Sequence, residues 1–236
     1  MLEPELSSGT VVVAREQTQG RGRREREWLS AANENLTFSL LLRIVSRVTR
    51  LPAACECKQA TRCEQAAGNP WKTSSVSMAA AVAVAELLEA EGVKADLKWP
   101  NDVLVGGKKI CGILSEAVSG GVIIGIGLNV NMDSAGHIDQ PATSLLMETG
   151  ERRVIDDLLE KLLPILSARL GEWEQGGFSK VRKNWEAKVP TLGKTVTVRD
   201  GDAVRTGVLH GFGDDGELLL EENGVLSPIW AGDLSV

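Results

Sequence analysis

The sequence predicts an α/β (α+β) chain, with a sheet and its helices first and a small antiparallel barrel after them. Three observations carry this reading. β-Branched and apolar runs over 10–15, 36–44 and 121–131 read as buried strands. Ile155, Leu158, Leu159, Leu162, Leu166, Leu170 and Trp173 recur at helical spacing, a stripe that needs another element to cover it. Beyond Val189-Pro190, four short apolar runs alternate with turn sequences.

Taken in order, the first run leads into a polar segment over 16–27 that holds Gly20 and Gly22. Residues 46–76 show no firm period and are broken by Pro52, Gly68 and Pro70, so they read as an insertion or long loop. Ser77 is the candidate cap of a helix through the alanine-rich stretch 79–91, which Gly92 stops. A strand over 96–99 is expected next, then a hairpin of 103–105 and 109–114 around Gly106-Gly107. Pro164 is expected to kink the long helix. Phe178, Val181 and Trp185 make a shorter helical stripe. The last four strands are expected over 195–199, 203–209, 217–220 and 225–230, with Asp200-Gly201, Asp214-Asp215-Gly216 and Asn223-Gly224 between them. The expected division is a larger domain over 1–188 and a barrel over 189–236.

Composition narrows the setting. A chain of 236 residues with 43% hydrophobic and 25% charged residues is ordinary for a soluble globular protein. Its net charge of -6 means that nucleic-acid binding would need a local basic patch. Ala79 to Leu88 is too short for a membrane span, and the acidic start Met1-Leu2-Glu3-Pro4-Glu5 is no signal segment. Four cysteines do not make a disulfide scaffold, so a reducing cytoplasm is the expected location. Cys55, Cys57 and Cys63 cluster in the insertion but lack a fourth ligand, since His137 and His210 are remote in sequence. Cys111 reads as a small core residue, and Trp173, Trp185 and Trp230 read as packing.

Three segments carry chemistry. In Gly20-Arg21-Gly22-Arg23-Arg24-Glu25-Arg26, glycines let backbone N–H groups approach a ligand, and arginine forks match phosphate and carboxylate oxygens. A solvated basic turn is the alternative. In Lys98-Trp99-Pro100-Asn101-Asp102, Asn101 and Asp102 could hold a magnesium ion, a phosphate-bound water or an attacking amine, or simply form a turn. Lys109, beside Gly112, can supply positive charge to an anion, or be an ordinary surface lysine. Gly125-Ile126-Gly127-Leu128-Asn129 places glycines in an apolar strand, which marks close approach of a ligand or a bulge.

In this order the segments resemble the biotin–protein ligase family. The matching stretches are Glu16 to Arg23, Lys98 to Asp102, Lys108 to Leu114 and Gly125 to Asn131, with Ala142-Thr143-Ser144-Leu145 and Leu218 to Val225 also fitting. The resemblance implies a mixed sheet with helices on one side, like the class II synthetases, and a C-terminal SH3-like barrel. It implies activation of biotin by ATP, with Mg2+, to biotinyl-5′-AMP, and transfer to a lysine of a biotin carboxyl carrier protein belonging to acetyl-CoA or pyruvate carboxylase. Gln17, Gly20, Arg21, Gly22, Arg23, Lys109, Gly112 and Gly125 would then contact biotin or its activated form. Arg23 and Lys109 would hold the mixed anhydride, and Asp102 would orient the incoming amine. Arg26, Trp28, Asn101 and Asn129 would serve the nucleotide, with Asn101 and Asn129 near the metal.

Family members are often homodimers, which this sequence does not itself show. Some carry a DNA-binding helix-turn-helix, for which nine residues before the first strand leave no room, so no DNA partner and no membrane are expected. A Ser-Thr-Asn element that contacts biotin in the family has no counterpart before Thr10. Glu25 stands where the family usually has glycine, and Glu25→Gly is expected to tighten adenylate binding, as read by calorimetry. The competing readings are a non-catalytic biotin- or adenylate-binding relative and a lipoate–protein ligase.

Overall fold

A computed structural model of the chain describes residues 6–22, 27–43, 70–134 and 141–235. In the first half, β1 (Val11–Ala14), β2 (Gln17–Arg21), β3 (Glu27–Ser30) and β4 (Asn35–Arg43) precede helix α1 (Pro70–Ala90). Then come β5 (Asp96–Lys98), β6 (Asp102–Val105), β7 (Lys108–Val118) and β8 (Gly121–Asn129). Six of these strands form one sheet in the order β1-β4-β8-β7-β6-β5. The expected mixed character is slight: among the described residues every ladder is antiparallel, and parallel pairing is confined to a Lys109–Ala142 bridge.

Three helices follow: α2 (Leu145–Thr149), α3 (Ile155–Gly176) and α4 (Phe178–Glu186). Helix α1 packs on β7, β6 and β8, and α3 and α4 pack on α1. Val76 and every residue from Ala79 to Ala85 are fully buried, which explains a helix that is apolar all round and rich in alanine. The expected stripe of α3 holds, with Leu158, Leu162, Leu166, Leu170 and Trp173 buried, and α3 continues through Pro164 as one helix. No helix among the described residues is long and apolar enough to cross a membrane.

The C-terminal module has β9 (Thr195–Asp200), β10 (Ala203–Phe212), β11 (Leu218–Glu222), β12 (Val225–Ile229) and β13 (Asp233–Ser235). They make a five-stranded antiparallel sheet, ordered β12-β11-β10-β9-β13, where four strands were expected. Asn223 and Gly224 both have positive φ, the conformation a tight hairpin requires. The module is bolted to the large sheet. Trp99 Nε1 donates to the Gly216 carbonyl at 3.0 Å, and the Phe212 ring meets Phe178 and Trp185 edge-on at 6.3 and 5.8 Å.

Four expectations need correction. Helix α1 starts at Pro70, not near Ser77, so residues 70–76 leave the proposed insertion; proline at the first helical position is a recognised start signal. The polar segment over 16–27 is partly strand, because β2 and β3 pair as a two-stranded sheet. Helix α2 was unanticipated, although Ser144 caps it through Met147 N. Trp230 is 37% exposed rather than packed away, whereas Trp173 and Trp185 are buried. The insertion cysteines and His137 lie outside the described residues.

Candidate functional site

Residues directly opposite one another in a sheet share a face. Following the registers across the large sheet, Ala14 pairs with Thr37, Thr37 with Gly127, Gly127 with Gly112, and Gly112 with Asp102. One row therefore runs across five strands on the face away from α1. The neighbouring rows on this face hold Asn35 and Asn129, then Ser39, Gly125 and Leu114. Alternate residues of the same strands, Leu36, Phe38, Ile113, Ile124, Ile126 and Leu128, point to the core and are at most 2% exposed.

Lys109 reaches this face through a fault in the sheet. Val103 pairs with Cys111 but Leu104 pairs with Lys109, so Ile110 is an extra residue in β7. Such a bulge re-aims the side chains beyond it. Without it, Lys109 would share the parity of Cys111 and Ile113 and point into the core. With it, Lys109 Nζ lies 2.7 Å from Asp102 Oδ1, and both side chains are 16% exposed. This pair is half-sheltered, at the end of a glycine floor, and open to competition from an incoming anion. Cys111, on the other face, is buried, and burial pushes its thiol pKa up, so it is a core residue and no nucleophile.

The small sheet lies over the row. A Cβ on Gly127 would stand 2.5 Å from Trp28 Cε2 and Cζ2, and one on Gly112 would stand 3.2 Å from Trp28 Cζ3. The indole therefore rests on both glycines. Its Nε1 is buried with no hydrogen-bond partner among the described residues. Ser30 Oγ approaches Thr37 Oγ1 at 3.5 Å and ties the end of β3 to the floor.

The expected site residues divide into four groups. Lys109, Asp102, Gly112 and Trp28 come together. Gly125 lies on the same face, where an added Cβ would meet, among the described residues, the Leu114 carbonyl at 3.6 Å. Gln17, Gly20, Arg21 and Gly22 are on or beside β2, and Gly20 admits the Trp28 carbonyl, which would stand 2.3 Å from a Cβ there. Arg23 and Arg26 lie outside the described residues. Asn101 and Asn129 have structural tasks: Asn101 Nδ2 donates to the Ile113 carbonyl, and Asn129 Nδ2 donates to the Thr143 carbonyl at 2.9 Å. Gly127 and Thr37 share the row with Gly112 and Asp102 but were not singled out in the sequence. Gly127 stood in the quoted motif, but it takes the distances to Trp28 to show that the indole lies on it and not on Gly125.

Residues 1–133 match the Biotin/lipoate A/B protein ligase family. The chain is 33% identical over 237 residues to the bifunctional ligase/repressor BirA of Bacillus subtilis, covering 97% of this chain but 66% of that protein. It is 32% identical over 231 residues to the biotin–[acetyl-CoA-carboxylase] ligase of Paracoccus denitrificans, covering 93% of this chain and 87% of that one. The fold is similar to that of the biotin protein ligase from Aquifex aeolicus solved in complex with biotin and ATP. The TM-score is 0.77 at 30% identity, over 98% of this chain and 89% of the other. The chain belongs to the Biotin/lipoate A/B protein ligase family.

Proposed function

We propose that this family member activates biotin with ATP and transfers the biotinyl group to a lysine of a biotin carboxyl carrier protein. The observation that carries the reading is the Lys109–Asp102 pair at the end of the Gly112–Gly127 floor. In the first step a biotin carboxylate oxygen attacks the α-phosphorus of ATP and pyrophosphate leaves. Two anions meet, so fixed positive charge lowers the barrier. Lys109, together with Arg21, Arg23 and Arg26 of the arginine–glycine segment, supplies it. In the second step the acceptor amine attacks the biotinyl carbonyl, AMP leaves, and the amine loses a proton. When Lys109 turns to the mixed anhydride, the Asp102 carboxylate is released to accept a hydrogen bond from that amine and orient it. Gly112 and Gly127 seat the indole, and Gly125 beside them leaves room for a ligand.

Magnesium would arrive with the ATP phosphates. The described residues offer no cluster of three or more carboxylate, histidine or cysteine ligands, and Asn101 and Asn129 spend their Nδ2 groups, not the Oδ1 atoms a metal would take, on backbone carbonyls. They do not fit a resident metal cage, and no step here depends on one. Biotin-dependent ATP–pyrophosphate exchange, followed by labelling of a carrier domain, tests the proposal. Exchange with lipoate but not biotin would redirect it to the other branch of the family; tight biotin binding without exchange would make the chain a binding protein.

A further inference from the structure

Asp102 opens β6, and the turn over 99–101 that feeds it sets where its carboxylate stands. On one side the sheet holds that turn: Ile113 N donates to the Asn101 carbonyl at 3.3 Å, and Asp102 pairs with Gly112. On the other side the hold comes from the C-terminal module. Trp99 is 3% exposed, and its Nε1 donates to the Gly216 carbonyl at 3.0 Å. That carbonyl belongs to a loop over 213–217 that is itself fixed from several directions. Gly213 N donates to the Glu217 carbonyl at 2.8 Å, Gly216 N to the Gly213 carbonyl at 3.2 Å, and Asp215 N to Glu217 Oε2 at 3.1 Å. Arg182 of α4 holds Asp214 by a hydrogen-bonded ion pair. Gly216 has a φ of 88°, and a Cβ there would stand 2.9 Å from Met78 Sδ and 3.0 Å from Ser75 Cβ, so the loop lies tight against α1.

We infer that Trp99 is a positioning residue for Asp102, through which the C-terminal module sets the transfer step. A buried indole N–H needs an acceptor. Here a separate module supplies it, at a residue three positions ahead of the carboxylate that orients the incoming amine. The cluster of Phe178, Trp185 and Phe212 docks the module on α4 and accounts for its attachment; the indole bond is a second tie, made to the turn. The two half-reactions depend on that tie unequally. Activation draws on Lys109, carried by β7, and on the arginine–glycine segment. Transfer draws on where the Asp102 carboxylate meets the amine, and a misplacement of about 1 Å can cost on the order of 10²-fold.

The kinetic part of this inference rests on the ligase reading, so it is paired with a measurement that needs no ligand. Trp99→Phe keeps an aromatic ring in the slot and removes the N–H. The Ile113 amide, which bonds the Asn101 carbonyl, is expected to exchange roughly tenfold faster, while the Ile126 amide in the centre of β8 keeps its protection. Unchanged exchange at Ile113 would overturn the inference whatever the activity of the protein. In the kinetic arm, biotin-dependent pyrophosphate exchange should stay within about twofold of wild type. Transfer from preformed biotinyl-5′-AMP to a carrier domain should fall roughly tenfold in kcat, with KM for the carrier little changed. Added to Asp102→Ala, Trp99→Phe should slow transfer no further, because both losses act through one carboxylate. Equal losses in the two half-reactions, or a raised KM for the carrier with kcat intact, would make Trp99 a general structural or docking residue and overturn the assignment. Should Trp99→Phe fail to fold, Asp214→Ala frees the loop from Arg182 at the surface and is expected to give the same split, weaker. A wild type inactive with biotin, together with faster Ile113 exchange in the variant, would sink the ligase reading and leave Trp99 as the residue that holds the Asp102 turn.

Discussion

The two faces of β7 and β8 are built from the same residues taken alternately, and they obey opposite rules. Toward α1 the strands present Ile113, Ile124, Ile126 and Leu128, packed so closely that each is at most 2% exposed. Away from it they present Gly112, Gly125, Gly127 and Asn129, where side chains have been removed or committed to hydrogen bonds. The core face gains by filling space, and the other face is useful because space is left. A substitution on one face should therefore change stability first, and on the other activity first.

The comparison can be strained from both sides. Ile126→Ala is the largest expected effect: a cavity in the sheet centre should cost about 2–5 kcal/mol of unfolding free energy, read by denaturant titration. A loss under about 1 kcal/mol would mean that the core face repacks freely. Lys109→Ala should leave the melting temperature nearly unchanged and slow biotin-dependent exchange about 10²–10³-fold, the range seen when one group stabilising developing charge is removed. A comparable fall in stability would show that the ion pair with Asp102 is mainly structural.

The glycines give a finer test. Gly127→Ala would place a Cβ 2.5 Å from the Trp28 ring, so the indole must move, at about 1–3 kcal/mol of strain. Among the described residues Gly125→Ala meets nothing closer than the Leu114 carbonyl at 3.6 Å, so folding should be intact while biotin affinity falls. Equal effects on melting and on binding for the two variants would erase the distinction drawn between them.

The smallest effect tests a region remote from the site. Hydrogen bonds from Lys161 and Arg153 hold the Glu91 carboxyl below its ordinary range, against the effect of its burial. A depressed native pKa gives stability that is complete above the unfolded value of about 4.3 and lost as pH falls through the native one. Glu91→Gln should flatten the acid limb of the stability curve. A loss on the order of 1 kcal/mol at neutral pH would lower Tm by about 2–4 °C.

Much of this was legible in the residues. Period-two and apolar runs located β4, β6, β7 and β8 within a few positions, and the helical stripes located α3 and α4. Lys109, Asp102 and Gly112 were singled out from motif order, and the fold brings them side by side. What escaped depends on pairing across the chain. The Gln17–Arg21 strand has no apolar alternation, because most of one face is solvent and the other supports Trp28. The bulge at Ile110 leaves no mark in a row of apolar letters, yet it decides which way Lys109 points. That Asn129 Nδ2 meets the Thr143 carbonyl was not legible, because an amide at the end of a glycine-bearing strand says nothing about which carbonyl it will meet. Only the position of Thr143 answers that.

The seam between the large sheet and the C-terminal module has a consequence for how such a chain can be shuffled. Sequence composition changes at Val189, which looks like a natural splice point. The packing does not respect it. Phe178, Trp185 and Phe212 share one aromatic cluster, and the turn preceding Asn101 and Asp102 hands its indole N–H to Gly216. A module imported from another lineage would have to bring its own match for that ring slot and that carbonyl. The two parts are thus free to diverge only together, and a graft at position 189 inherits a debt on both sides of the joint.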